Sequence, residues 1–238
     1  MPSKAHSKKY RQVHRFIEDR FYSISEAIEL LPKLSYTQFD GRVEVAFKLG
    51  IDPKHSDQVV RNAITLPHGS GSTPRVAVLA DGHLAEEART AGADIVGVND
   101  LIEQIQKGEI FFDRLIATPN LMDLLTQAKV GKVLGPRRLM PNPKLGTVTS
   151  EIAQAVREQK MGRVEYRAEK AGIVHAVMGR VSFESQKLKE NFNTLLKAIL
   201  KDKPPTSKGV YLQRIFISAT MSPSLKINPL NAIEGLKQ

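Results

Sequence analysis

The sequence predicts an α/β protein of two domains: an α+β domain split by an inserted Rossmann-like α/β domain with a parallel sheet. Three observations carry that expectation. Between Arg75 and Lys160, strand-like and helix-like patterns alternate, which is how βαβ units build a parallel sheet. The texture on either side of this stretch is different, and a cluster of breakers, Pro67-His-Gly-Ser-Gly-Ser-Thr-Pro74, stands at the first junction. Charge divides along the same line. Residues 69–160 hold eleven Lys/Arg and eleven Asp/Glu, so the whole formal surplus of +10 lies outside them. The expected division is 1–68 with 161–238 for the split domain and 69–160 for the insert.

The elements follow in order. Residues 1–20 carry six Lys/Arg, Lys4 and Lys8 among them, and read as a basic arm passing into a helix. Ser23 and Ser25 are candidate caps for a helix over Glu26–Leu34, with Ala27, Leu30, Leu31 and Leu34 on one stripe. Pro32 is expected to end or kink it. Val43–Leu49 alternates as a half-buried strand does, and Asn62–Leu66 looks like a second.

In the insert, Arg75–Ala80 is an almost continuous apolar run, the mark of a strand buried on both faces. A helix over His83–Ala91, a strand over Asp94–Gly97 and a helix over Asn99–Lys107, capped by Asn99 and stopped by Gly108, come next. Arg114–Thr118 reads as a strand, Asn120–Lys129 as a helix and Lys132–Leu134 as a short strand. Thr149 or Ser150 caps a helix over Glu151–Lys160. Beyond it, Arg163–Arg167 and Ile173–Val177 look like a strand pair. A helix opened by Ser182 or Ser185 runs to about Leu200, and Val210–Ala219 is a strand.

Composition narrows the function. A surplus of +10 and a pI of about 9.7 point to a polyanionic partner. Twelve of the fourteen aromatics lie outside the insert with the surplus charge, and aromatics beside cations compose an RNA-binding face. There is no Cys, which removes disulfides, thiolate metal sites and Cys nucleophiles together. No apolar run approaches the ~18–20 residues of a membrane span. Met1–Arg11 is polar and basic, so no secretory signal is expected.

Catalytic patterns are missing. His68-Gly-Ser-Gly-Ser-Thr73 has the small residues of a phosphate loop but precedes a strand, whereas such a loop follows a strand and opens a helix. None of the six His residues forms an i, i+4 pair with another, and no Ser sits in a nucleophile elbow. Neither a metal nor a cofactor is expected, and the chain reads as a non-enzyme. The alternative is a nucleotide-dependent enzyme built on the βαβ insert, which would bind ATP or NAD. The segment Lys129–Lys144 stands apart: five basic residues, no acidic one, and Pro136, Pro141 and Pro143 to stiffen it. A stiff loop presents its charges at a small ordering cost.

Leu134-Gly-Pro-Arg-Arg-Leu-Met-Pro-Asn-Pro-Lys-Leu-Gly-Thr-Val148 closely resembles the signature of the ribosomal protein L1 family, the stalk protein of the large subunit. Phe39-Asp-Gly-Arg-Val-Glu-Val45, Gly50-Ile-Asp-Pro53, Asp57-Gln-Val-Val-Arg61, Leu66-Pro-His-Gly69, Ala91-Gly-Ala-Asp94, Lys170-Ala-Gly-Ile-Val-His175 and Thr220-Met221 resemble it in the same order, in the bacterial form. The resemblance implies one domain inserted in another and a place in the large ribosomal subunit. Its implied partners are large-subunit rRNA at the mobile stalk, E-site tRNA during release, and the protein's own mRNA leader, whose translation it represses. Met1–Arg11 is short and Arg-poor for an organellar address, so a cytoplasmic ribosome is expected rather than an organellar one, with no membrane partner and a monomer when free.

Family RNA contacts carry over to Phe39, Glu44, Thr220 and Met221, with Ser222 beside them; Arg167, Lys170, His175 and Arg214 are added from chemistry and position. In the insert, Lys132, Arg137, Arg138, Asn142 and Lys144 form a basic loop that could meet tRNA or rRNA. Arg138, Asn62 and Ser222 stand where the resemblance leads one to expect Gly. If those positions need φ > 0, each side chain costs roughly 1 kcal/mol.

Overall fold

The computed structural model describes residues 7–236, apart from the side chains of Ser56 and Lys144. Lys4, in the expected basic arm, lies outside them. Two compact units divide after Gly71 and after Arg163, three residues beyond each boundary drawn from sequence. The fold is α/β, with an antiparallel sheet in one unit and a parallel sheet in the other.

The split unit opens with α1 (Lys8–His14) and α2 (Ile24–Leu34). Ser23 caps α2 in a reciprocal box: its hydroxyl accepts from the Glu26 amide, and Glu26 accepts from the Ser23 amide. Pro32 does not end this helix. It forgoes only the bond to the Ile28 carbonyl, in the last turn, while Leu31 and Leu34 on either side of it are fully buried. Strand β1 (Arg42–Leu49) follows, then β2 (Arg61–Thr65).

The insert holds β3 (Val76–Leu79), α3 (Gly82–Thr90), β4 (Ile95–Gly97), α4 (Asn99–Lys107), β5 (Arg114–Ala117), α5 (Met122–Gln127), α6 (Gly131–Leu134) and α7 (Ile152–Lys160). Its parallel sheet runs β4-β3-β5, and β3 is buried throughout. Alternation explains why: Ala77 and Leu79 meet Leu101, Ile105 and Leu134 on one face, while Val76 and Val78 meet Ala88, Ile152 and Val156 on the other. Val98, not Asn99, takes the cap position of α4, and Glu151 that of α7, neither with a side-chain bond. Residues Lys132–Leu134 are a helical turn rather than a strand, since Val130 and Leu134, four apart, are both buried against α4. A run of three apolar-biased residues cannot distinguish the two.

The chain then adds β6 (Arg163–Arg167), β7 (Ile173–Arg180), α8 (Ser185–Lys201), β8 (Leu212–Ala219), β9 (Leu225–Ile227) and α9 (Pro229–Glu234). β6 and β7 are not a strand pair. β6 joins β2, and β7 joins β1, with only an Ala168–Val174 bridge between them. Glu184 takes the cap position of α8 without a side-chain bond, and Ser182 turns instead to Asp40. Sequence reading missed β9 and α9, although Asn228-Pro229 is a cap followed by Pro at the first helical position.

The main sheet runs β7-β1-β8-β9 and is antiparallel throughout. One face is core: Val43, Val45, Phe47 and Leu49 lie under α2 and α8, where Leu188, Phe192, Leu195 and Ile199 recur at helical spacing. Asn191, fully buried on α8, accepts from the His68 amide (3.1 Å) and donates to the Gly69 and Met178 carbonyls (3.0 and 2.9 Å). His68 also pairs with Glu190 at 2.5 Å.

Candidate nucleic-acid interface

The other face of the main sheet is open. Period-2 alternation places Arg42, Glu44, Ala46 and Lys48 of β1 there, because their neighbours Val43, Val45, Phe47 and Leu49 are in the core. Pairing extends each into a row. Glu44 faces Ser218 and Val177; Ala46 faces Phe216 and His175; Lys48 faces Arg214 and Ile173. Lys226 of β9 stands beside Phe216. Glu44, His175, Arg214 and Lys226 are exposed, and Phe216 is half-buried. From Arg42 to Lys48 the face spans about 20 Å at roughly 3.4 Å per residue.

Two loops crown its Arg42 end. Tyr36 Oη donates to the Met221 carbonyl (2.7 Å), joining segments 185 residues apart. Thr37 Oγ1 donates to the Phe39 carbonyl (2.9 Å). Asp40 accepts from the Ser182 amide and hydroxyl (3.1 and 2.8 Å), and its carbonyl accepts from Arg180 (2.9 Å). Phe39, so braced on both flanks, is 62% exposed, and Met221 is 67% exposed with φ of 66°. A bulky residue at positive φ is strained, and such strain clusters at functional sites.

Thr220 is engaged with the protein. Its hydroxyl accepts from the Arg42 amide (2.9 Å) and donates to the Arg42 carbonyl (3.2 Å). A hydroxyl has one proton and two lone pairs, so one lone pair is left over. Ser222 also turns inward: its hydroxyl accepts from the Ala219 amide and donates to the Ala219 carbonyl, both at 2.9 Å. The strain expected at Ser222 falls one residue earlier, on Met221.

The expected residues therefore divide. Phe39, Glu44, Thr220, Met221 and Ser222 gather at one end of the open face, His175 lies midway, and Arg214 lies at the far end. Lys170 sits in the exposed turn beyond that end, where the Leu49 amide donates to the Gly172 carbonyl and Lys48 Nζ donates to the Ala171 carbonyl. Arg167 is exposed on β6, in the small separate sheet. Sequence reading missed Arg42, Lys48, Phe216 and Lys226. Parity would have found Phe216, which shares its strand face with Arg214, Ser218 and Thr220.

Asn62, expected to carry strain, has none of it. It lies in β2 and donates to both carboxylate oxygens of Asp202 (3.1 and 3.0 Å). Tyr166 donates to the same carboxylate (2.6 Å), and burial together with Asp202 pushes the Tyr166 phenol up. Tyr211 donates to the Ile199 carbonyl, and burial pushes it up to about 12.

Arg138 does carry the strain, at φ of 59°. The Leu139 amide donates to the Leu134 carbonyl and the Arg138 amide to the Gly135 carbonyl, both at 3.0 Å. This pair of bonds is a Schellman motif with Arg138 at C′, the place that favours Gly, and Leu139 packs against the buried cluster to which Leu134 belongs. Lys132, Arg137 and Arg138 are exposed. Asn142 braces the loop: its amide donates to Thr147 Oγ1 (2.7 Å), and its carbonyl accepts from the Leu145 amide (3.1 Å). The Lys144 side chain lies outside the described residues.

Among the described residues, no three His, Asp or Glu side chains gather as a metal ion would require, and no helix is long and apolar enough to cross a membrane. The family model for the "Ribosomal protein L1p/L10e family" matches residues 31–223. A relative from Myxococcus xanthus (strain DK1622), the large ribosomal subunit protein uL1, is 50% identical over 227 residues, 94% of this chain and 95% of the relative.

Proposed function

Since this chain belongs to the ribosomal protein L1p/L10e family, we propose that it is a structural constituent of the large ribosomal subunit that grips the stalk rRNA with the open face of its main sheet. The observation that carries this reading is the pairing of exposed Phe39 with exposed, strained Met221 at the head of a face lined with cations. Structured RNA is read through sugars, phosphates and splayed bases. Phe39 and Met221 supply apolar surface for a ribose or base. Arg42, Lys48, His175, Arg214 and, beyond the sheet end, Lys170 supply positive charge, with Arg167 nearby.

Thr220 has a narrower role. Its proton is already given to the Arg42 carbonyl, so it cannot donate to a phosphate. The remaining lone pair can accept from a 2′-OH, the group by which a protein tells RNA from DNA. Glu44, an acceptor only when ionised, suits base amino groups or a further 2′-OH.

The same face serves two RNAs in this proposal, the rRNA stalk and the protein's own mRNA leader, and one occupant excludes the other. The loop with Lys132, Arg137, Arg138 and Lys144 is assigned to E-site tRNA or a second RNA segment during release of deacylated tRNA. In this role the protein works on the cytoplasmic ribosome.

The test is a calorimetric titration of the full chain with a stalk rRNA fragment, at several salt concentrations and with Met221→Ala in parallel. Log affinity should fall with log salt at about 0.7–0.9 per phosphate contacted, and Met221→Ala should bind more weakly with its thermal transition unchanged. A flat salt response, or unchanged affinity of the variant, overturns the assignment. Competition by the mRNA leader for the same fragment tests the shared face.

A further inference from the structure

A second aromatic and basic surface lies outside the face just described. α1 and the segment 15–21 that leads from it toward α2 come before the outer edge of the main sheet, where the Tyr22 amide donates to the Lys226 carbonyl (2.8 Å) and Tyr22 bridges Ile227. In α1 the one buried side chain is Val13. Helical geometry puts Lys8, Arg11 and Arg15 close to the opposite direction, at spacings of three and four, and all three are exposed. Among the described residues none of the three is in an ion pair.

The carboxylates nearby are already matched. Glu18 binds Arg20 at 3.0 Å, and Asp19 binds Lys226. The positive charge of α1 is therefore uncompensated. Phe16 and Phe21, immediately after it, are 68% and 62% exposed. Two phenylalanines in water within six residues are not explained by packing, since Val13 and Tyr22 do the anchoring of this segment.

We infer that Lys8, Arg11, Arg15, Phe16 and Phe21 form a second RNA-binding surface, which takes phosphates on α1 and unpaired bases on the two rings. Charge complementarity selects RNA over an apolar protein segment, for a protein docking on the rings would bury three unmatched cations beside it. The surface is continuous with the open face through Lys226, which stands on that face next to Phe216 and is bonded to Asp19 of this segment. An RNA strand crossing the sheet from β1 through β8 leaves it over β9 onto Phe21 and Phe16. The inference rests on the rRNA reading above and lengthens its footprint.

The experiment uses the full chain, the stalk rRNA fragment and two multiple variants. Lys8→Gln, Arg11→Gln and Arg15→Gln together should weaken binding and lower the salt slope by about 2, three contacts at roughly 0.7–0.9 each. Phe16→Ala with Phe21→Ala should weaken binding about five- to hundredfold for each base stacked, with the slope unchanged. A photo-crosslinker in place of Phe16 should label nucleotides different from those labelled from position 221. If the wild type binds and Met221→Ala weakens it, but both multiple variants bind like the wild type, this inference fails alone. If the wild type does not bind the fragment, both readings fail. All five side chains are exposed, so circular dichroism and thermal transitions like the wild type's are expected, and they separate lost contact from lost fold.

Discussion

Replacing Arg138 by Gly should stabilise the insert. Arg138 occupies C′ of a Schellman motif at φ of 59°. A side chain in the left-handed region costs roughly 1–2 kcal/mol through the clash of Cβ with the backbone. Gly avoids that clash but gives back part of the gain, because its unfolded chain is freer by about 0.5–1 kcal/mol. The net expectation is a stabilisation of about 0.5–1 kcal/mol, which shifts the midpoint of a domain this size upward by roughly 2–8 °C. Differential scanning calorimetry of the full chain reads it, with Arg138→Ala as the control. Alanine removes the same charge but keeps Cβ, so it leaves the strain in place. If Gly and Ala move the midpoint equally, repulsion among Lys132, Arg137 and Arg138 is the cause, and the conformational account is wrong. Binding reports separately: both variants lose any phosphate contact that Arg138 makes.

Three other perturbations test different parts of the molecule. Asn62→Gly should destabilise the split unit by roughly 1–3 kcal/mol, since it strips a charged, partly buried acceptor of two bonds; chemical denaturation that finds no loss would remove Asn62 from the Asp202 network. Thr220→Val should cost about 1 kcal/mol by freeing the Arg42 backbone, and it should reduce the preference for ribose over deoxyribose in the contacted strand. Equal discrimination by the variant would refute the 2′-OH assignment. Burial would push the Asp94 carboxyl up, but the Val76 amide, Lys160 and Arg75 outweigh burial and hold it below its ordinary value of 3.8. A depressed folded pKa stabilises above the unfolded value and ceases to do so as pH falls through the folded one. The insert should therefore lose stability more steeply below pH 3.8 in the wild type than in Asp94→Asn, as acid titration followed by circular dichroism would show.

Sequence made the broad architecture legible because its signals are local. The all-apolar Val76–Leu79 announced a strand covered on both faces, and alternation along Val43–Leu49 announced one covered on a single face. What was not legible depends on pairing across distance. Arg163–Arg167 and Ile173–Val177 look like partners because they are near in sequence, yet β1 and β2, more than a hundred residues earlier, claim them. The candidate site divides in the same way. Phe39 and Met221 lie in motifs that stand out in the chain. Lys48 and Phe216 emerge only when β1 and β8 are set in register, and the inward turn of Thr220 and Ser222 only when their hydroxyls are traced to Arg42 and Ala219. Positive φ at Met221 rather than Ser222 is likewise a property of the folded turn, not of residue type.

The strand order β7-β1-β8-β9 also sets a timetable. β1 is flanked on both sides by strands that the ribosome synthesises later, and its nearer partner in sequence, β7, begins about 120 residues downstream. At about 5–20 residues per second, β1 waits roughly 6–25 s for its first neighbour. For that time Val43, Val45, Phe47 and Leu49 belong to a strand with two bare edges, a template for pairing with the wrong chain. The parallel sheet of the insert needs no such delay, because β3, β4 and β5 leave the ribosome in succession. The domain synthesised in the middle is the first able to close, and the domain that begins the chain is the last.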